Sequence, residues 1–230
     1  MNPVAGVLGE AWGLYKSHAR HLLTISLIVY VAVGIISAVL IAAFGWFGVL
    51  LATFASLVGL FWVQGALVEA VQDVRDGRAD LSLGDTFRRV QPRLPAIAGA
   101  SFLAGIGIAI GFLLLIVPGL ILMTFWSVIV PVIVLERTGA LKSFERSQQL
   151  VRGNGWNVFG LMVLIFLVLL VVGIGLGVIL IPFPEGAQSF LSNLISGTIT
   201  APFIALAWTL LYHRLTAVSG GTSDPGTAAP

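Results

Sequence analysis

Residues 156–181 read WNVFGLMVLIFLVLLVVGIGLGVILI, without one ionisable side chain. Wound as an α-helix this stretch is about 39 Å long, more than the roughly 30 Å of a bilayer's hydrocarbon. Five further stretches have the same character: Leu22–Phe44, Phe47 to about Ala66 (running on toward Glu69), Leu94–Ile116, the shorter Leu120–Leu135 with Pro131 inside it, and about Leu191–Tyr212 with Pro202 inside it. The expected fold is therefore all-α: a polytopic membrane protein with six transmembrane helices. Composition agrees, with 58% hydrophobic and 10% charged residues and a mean hydropathy of +1.04. A soluble domain carries about 25% charged residues, so a water-facing globular enzyme is excluded, and so is a disordered chain. Cysteine is absent, which removes disulfides, thiolate catalysis and Cys-ligated zinc.

The links between the stretches alternate in character. Phe44–Trp46 is a short turn around Gly45, Val117-Pro118-Gly119 reads as another tight turn, and Pro182–Gly186 opens a third. The other links are charged. Lys16 and Arg20 precede the first stretch. Arg75, Arg78, Arg88, Arg89 and Arg93 lie between the second and third. Arg137, Lys142, Arg146 and Arg152 lie between the fourth and fifth, and Arg214 follows the sixth. Six crossings put all of these on one side and leave Glu185 as the only charge on the other. Translocation of Lys and Arg is disfavoured, so both termini and both long links are expected in the cytoplasm. Trp46, Phe47, Trp156 and Tyr212 fall at the edges of the stretches, where amphipathic rings are favoured. No basic residue precedes the first apolar run, so a cleaved signal peptide is not expected.

Three segments have helical periodicity with one apolar face. Around Val7–Arg20 the apolar positions are 7, 8, 11, 12, 15 and 19. In the second, Ser82 is a candidate cap with Asp85 three residues on; Leu83, Phe87, Val90 and Leu94 line one face, Arg88, Arg89 and Gln91 point away, and Pro92 limits the helix. In the third, Leu141, Phe144, Leu150 and Val151 oppose Lys142, Glu145, Arg146, Gln149 and Arg152, and Gly153-Asn154-Gly155 stops the helix. Each segment precedes two apolar stretches. This suggests a threefold repeat starting near residues 5, 82 and 139, with Gly9-Glu10-Ala11-Trp12 set against Gly84-Asp85-Thr86-Phe87 and Lys142-Ser143-Phe144. The helices are expected at the inner headgroup layer or packed on the end of the bundle.

The run Val117-Pro118-Gly119-Leu120-Ile121, Pro131 to Glu136, Gly139 to Phe144, Arg146-Ser147, Leu150-Val151 and Gly153-Asn154-Gly155-Trp156 resembles the membrane domain attached to some bacterial glycerophosphodiester phosphodiesterases. It also resembles related stand-alone six-span proteins. Gly9-Glu10-Ala11-Trp12, Leu14-Tyr15 and Thr209-Leu210-Leu211-Tyr212 fit the same pattern, over about residues 7–216. In the two-domain relatives, hydrolysis is assigned to a separate metal-binding barrel of roughly 250 residues. The resemblance thus implies a membrane domain at 1–216 without that barrel, in a bacterial cytoplasmic membrane, while residues 217–230, rich in Gly, Ser, Thr and Pro, are expected to be a disordered cytoplasmic tail.

No catalytic, cofactor or metal residue is expected. His18, His21 and His213 have no acidic partners at ligand spacing, and Ser37, Ser56, Ser101 and Ser127 lie within apolar stretches far from any histidine. Two weak sites remain. Arg88, Arg89, Arg93, Lys142, Arg146 and Arg152 are candidate anionic-lipid contacts, at about 1 kcal/mol each. Gln64 and Glu69 form a candidate polar site on the cytoplasmic side, and Pro131 and Pro202 could kink their helices and free backbone carbonyls. The GxxxG pairs Gly107/Gly111 and Gly173/Gly177 point to internal helix packing. Membrane lipids and a protein on the cytoplasmic face are the expected partners, and nucleic acid is not. The leading expectation is a non-enzymatic accessory or organising protein in a lipid- or envelope-related process. The alternative is a transporter or flippase for a lipid-like or weakly polar solute.

Overall fold

The computed structural model describes residues 4–75 and 83–221. Among these it is all-helical, in the order α1 (Val7–Ser17), α2 (Ala19–Arg75), α3 (Leu83–Val90), α4 (Leu94–Leu114), α5 (Ile116–Phe125), α6 (Ile129–Leu135), α7 (Ala140–Val151), α8 (Gly155–Leu180) and α9 (Glu185–Gly221). Five helical segments are long and apolar enough to cross a membrane: Ala19–Arg75, Gly84–Leu114, Ile116–Leu135, Gly155–Leu180 and Leu191–Ser219. The protein is thus a multi-pass membrane protein.

The first of these segments contains two of the six stretches read from the sequence. α2 has 57 residues, about 85 Å of helix, and is not continuous. Gly45 takes φ 56° and ψ −128°, a conformation that glycine adopts without a Cβ penalty. The chain turns back there, so that a Cβ on Gly48 would overlap the Leu40 carbonyl and one on Gly59 would overlap the Val33 side chain. The arms 19–44 and 46–75 are therefore an antiparallel pair in close contact.

The second tight turn is displaced from the expected place. Leu115, not Pro118-Gly119, is the extended residue between α4 and α5. Pro118 falls in the first turn of α5, where a missing N–H costs no helical hydrogen bond. Gly119 packs there against Gly111 and the Phe112 ring. Pro131 likewise falls in the first turn of α6 and starts a new helix, so it does not kink a continuous one. The break between α5 and α6 covers Trp126, Ser127 and Val128. Pro202 does lie inside its helix. α9 continues to Gly221, so residues 217–221 are helix and not tail, while 222–230 lie outside the described residues. The cap expected at Ser82 is outside them too.

The core sits at the end of the bundle that carries the charges. Val7, Leu22, Ile25, Leu67, Leu150, Val158, Leu206 and Leu215 are buried, whereas Phe44, Trp46, Leu113, Leu115, Ile179 and Ile181 at the other end are exposed. Exposure of such residues is what a hydrocarbon solvent permits.

Each short amphipathic helix seats on a particular neighbour. α1 runs antiparallel to the end of α9. Arg214 donates to the Ala5 carbonyl and Glu10 carboxylate, and Tyr15 Oη donates to the Ile199 carbonyl at 3.1 Å. Burial pushes the Tyr15 phenol up, which keeps it a neutral donor. α3 packs on the second arm of α2, where Val90 faces Gly65. α7 packs on α6 and α4. In each case one aromatic ring meets another edge-on: Trp12 with Phe203, Phe87 with Trp62, and Phe144 with Trp126. The residue before each leading aromatic (Ala11, Thr86, Ser143) is fully buried.

For α7 the buried face differs from the expected one. Ser143, Ser147, Leu150 and Val151 are buried, while Leu141 is 76% exposed. The reason is the break at 126–128. Ile129 N–H turns to the Trp126 carbonyl, which leaves Phe125 C=O without its helical partner. Ser147 Oγ donates to it at 2.7 Å. One hydroxyl among the buried apolar residues, that of Ser147, thus partners the carbonyl that the interrupted helix leaves free, while Ser143 Oγ donates to the Ala140 carbonyl of its own helix.

The paired glycines also separate. A Cβ on Gly107 would meet the Trp126 ring and one on Gly111 the Gly119 backbone, whereas Gly173 and Gly177 meet nothing within 4 Å. Only the first pair serves internal packing. Gly48→Ala is expected to force the α2 arms apart, because the obstruction is backbone and cannot rotate away. A clear fall in thermal midpoint in detergent, absent in Gly173→Ala, is the result that checks this.

Candidate functional site

A cavity of about 240 Å³ lies between the second arm of α2, the α5–α6 break and α9, with one side chain from the first arm of α2. Val63, Gln64, Leu67 and Val68 come from the second arm, Ser127 from the break, Val130 and Pro131 from the first turn of α6, and Thr200, Ala201, Ile204, Ala205 and Trp208 from α9. Tyr30 and Leu60 complete it. Local structure explains the opening. At 126–128 the helix is interrupted, so Ser127 projects where a continuous helix would have packed. Small residues at 201 and 205 leave room opposite.

Two grooves adjoin this cavity. One, of about 360 Å³, lies against the α2 hairpin and shares Tyr30 and Leu60 with it. Its lining residues Val29–Ser37 and Ser56–Leu60 fall halfway along the two arms. The other, of about 320 Å³, lies between α4, α5, α8 and α9 and shares Ser127, Ile204 and Trp208. Among the described residues, Ser37 Oγ and Ser127 Oγ are buried without a hydrogen-bond partner. By contrast, Ser56 and Thr200 donate to carbonyls of their own helices, at 2.8 and 2.7 Å. The cavity and grooves therefore present a mostly apolar wall with a few hydrogen-bonding groups, the usual constitution of a small-molecule site.

Toward the charged end is an ion-paired network. Arg146 Nε donates to both Glu136 carboxylate oxygens, at 2.9 and 3.0 Å, and Tyr212 Oη donates to Glu136 Oε1 at 2.9 Å. This ties the start of the α6–α7 link to α7 and to α9. Beside it, the His213 ring and Gln72 amide are 2.7 Å apart.

The sequence-derived candidates divide. Gln64 lines the cavity. Glu69, five residues on, is not among the lining residues; it lies in the field of Arg89, Arg93 and Arg137. The two thus do not form one polar site. Arg88, Arg89, Lys142 and Arg152 are exposed and Arg93 is half-exposed, whereas Arg146 is engaged by Glu136. Arg88 also pairs with Asp85 at 3.2 Å. The histidines are dispersed: His18 contacts Ser17 and His213 contacts Gln72. Among the described residues no group of three or more metal-ligating side chains is present. What the sequence did not expose is the convergence of Tyr30, Ser127 and Trp208. Their hydroxyls and indole look like isolated polar residues in apolar runs until three distant helices meet.

Glu136→Gln is expected to destabilise the charged end by about 1–3 kcal/mol, since it weakens charge-assisted hydrogen bonds to Arg146 and Tyr212. Thermal unfolding of E136Q, R146Q and the double variant checks this, with a double-variant loss smaller than the summed single losses.

No curated protein and no solved structure matches the chain. One family does, over residues 11–218. Its description names no phosphodiesterase, so the resemblance to that membrane domain supplies no activity here. The chain belongs to the family described as a domain of unknown function, DUF7847.

Proposed function

We propose that the protein holds a lipid-like or weakly polar solute between its helices, as a transporter or flippase of the bacterial cytoplasmic membrane, with no catalytic activity of its own. The observation that carries this reading is the cavity, with its two adjoining grooves, at a helix break inside an apolar bundle. Interrupted helices in membrane proteins are tolerated where they are covered by protein or line a cavity, and transporter sites are built there.

The reading includes six crossings with both termini inside. In support, the α2 arms of 19–44 and 46–75 each exceed the length needed to span, and Gly45 folds one back on the other. It also includes a threefold repeat: α1 with the α2 arms, α3 with α4 to α6, and α7 with α8 and α9. The seating of the short helices supports it. Each sits on the last crossing of the preceding unit, α3 on α2, α7 on α6 and α1 on α9, so the pattern closes into a ring. The cavity is lined mainly by those same three last crossings.

A second reading has its own support. The outward-facing Arg88, Arg89, Lys142 and Arg152 form a basic rim, which suits an organising protein that engages anionic lipid or a cytoplasmic partner. Deleting α7 would not test this, because α7 is part of the packed bundle. Changing the four residues to Gln should leave the thermal midpoint within a few degrees and abolish enrichment of phosphatidylglycerol around the purified protein. Unchanged enrichment counts against the second reading.

The first reading is checked by mass analysis of protein purified in mild detergent. A stoichiometric small molecule should co-purify and be lost in Ala201→Leu and Val130→Phe, which fill the cavity. Identical bound content in wild type and both filled variants would contradict it.

A further inference from the structure

Resting on the reading that the cavity holds a lipid-like solute, we propose that the solute is an uncharged amphiphile: a neutral lipid with a hydroxyl or ester head at Ser127 and hydrocarbon chains in the two grooves. Three observations converge on this class. The first is charge. The residues lining the cavity and both grooves include no Asp, Glu, Lys, Arg or His. A phosphate or carboxylate placed there would leave water without gaining a counter-charge, which is costly in an apolar interior.

The second is hydrogen bonding. Buried hydroxyls are normally partnered, yet Ser127 Oγ and Ser37 Oγ are not, among the described residues. Ser127 lines both the cavity and one groove, and Ser37 lines the other. The Gln64 side chain adds an amide to the same cavity. These are groups that bind alcohols and ester carbonyls and have no means of neutralising an anion.

The third is shape. The recesses adjoin one another, with Tyr30 and Leu60 common to the cavity and one groove and Ser127, Ile204 and Trp208 common to the cavity and the other. Each is too small alone for a whole lipid. Together they have a centre with polar groups and two mostly apolar arms, one walled by Val29, Val33 and Leu194 with Ser37, Ser56 and Asn193 among them, the other by Met162, Ile165 and Leu169. A molecule with a compact head and two chains matches that outline.

Trp208 borders both the cavity and a groove, so it reports occupancy. The full chain in mild detergent would be titrated with diacylglycerol carrying brominated chains, which quench indole fluorescence on contact, and with phosphatidic acid carrying the same chains. The proposal expects saturable quenching by the diacylglycerol at concentrations at least tenfold lower than for phosphatidic acid. Trp208→Phe should remove the saturable part. Ser127→Ala should weaken binding roughly two- to tenfold, the worth of one hydrogen bond, and Ala201→Leu should abolish it with the thermal midpoint kept; Val130→Phe serves if A201L does not fold. Equal or tighter binding of phosphatidic acid overturns the proposal. So does unchanged affinity in both Ser127→Ala and Ser37→Ala. If neither lipid quenches while some other molecule co-purifies, this inference falls and the cavity reading stands. If nothing binds or co-purifies, both fall.

Discussion

Inside hydrocarbon there is no water to accept a hydrogen bond, so each place where the chain leaves the helix must be partnered by protein. Much of the architecture follows from that constraint. At Gly45 a glycine takes the turn at the tip of the α2 arms. At Leu115 a single extended residue joins two helices, and the proline after it sits where its missing N–H is harmless. At 126–128 the interruption is internal and the solution is long-range. Ser147, on a helix more than twenty residues downstream in sequence, reaches the Phe125 carbonyl. That bond ties α7, packed on α4 and α6, to the bundle.

Once α7 is docked, the rest of the charged end is ordered around it. Phe144 packs edge-on against Trp126, and Arg146 meets Glu136, which also receives the Tyr212 hydroxyl. The two other short helices are placed by related contacts, with an aromatic pair each and a buried small or β-branched residue beneath. The stable core is therefore at the charged end, and the opposite end relies on lipid to cover its apolar side chains. The cavity sits where the core gives way to the looser packing, next to the break that α7 stabilises. The interruption whose free carbonyl Ser147 partners is also the one that places Ser127 in the cavity wall.

How much of this could be read from the residues depends on which forces act locally. Hydropathy is a property of each stretch, so the apolar segments and the glycine turn at 45 are legible, as are the helix stop at Gly153 and the three amphipathic helices. Side-chain destinations are not local. Periodicity gives α7 an apolar face of Leu141, Phe144, Leu150 and Val151; Leu150 and Val151 are buried, but Leu141 is outward and Ser143 and Ser147 are inward, Ser147 because the broken helix leaves a carbonyl to be partnered. Pro118 and Pro131 suggest a turn and a kink, but a proline in a first helical turn has the same sequence appearance as one in either. Of the candidate site, Gln64 was legible as a polar residue deep in an apolar run. Tyr30, Ser127 and Trp208 were not, since nothing in their neighbours signals that three helices converge there. Arg146 looked like the other basic residues until Glu136 claimed it.

The account depends most on which way the charged end faces and on the chain doubling back at Gly45. Since cysteine is absent, single cysteines at Trp46, Leu115, Phe183, Arg88 and Lys142 in the otherwise thiol-free chain can be probed in intact cells with a membrane-impermeant thiol reagent. Labelling of W46C, L115C and F183C from outside, with R88C and K142C reacting only after permeabilisation, is the predicted result. Labelling of R88C or K142C in intact cells, or protection of W46C while F183C reacts, would contradict it.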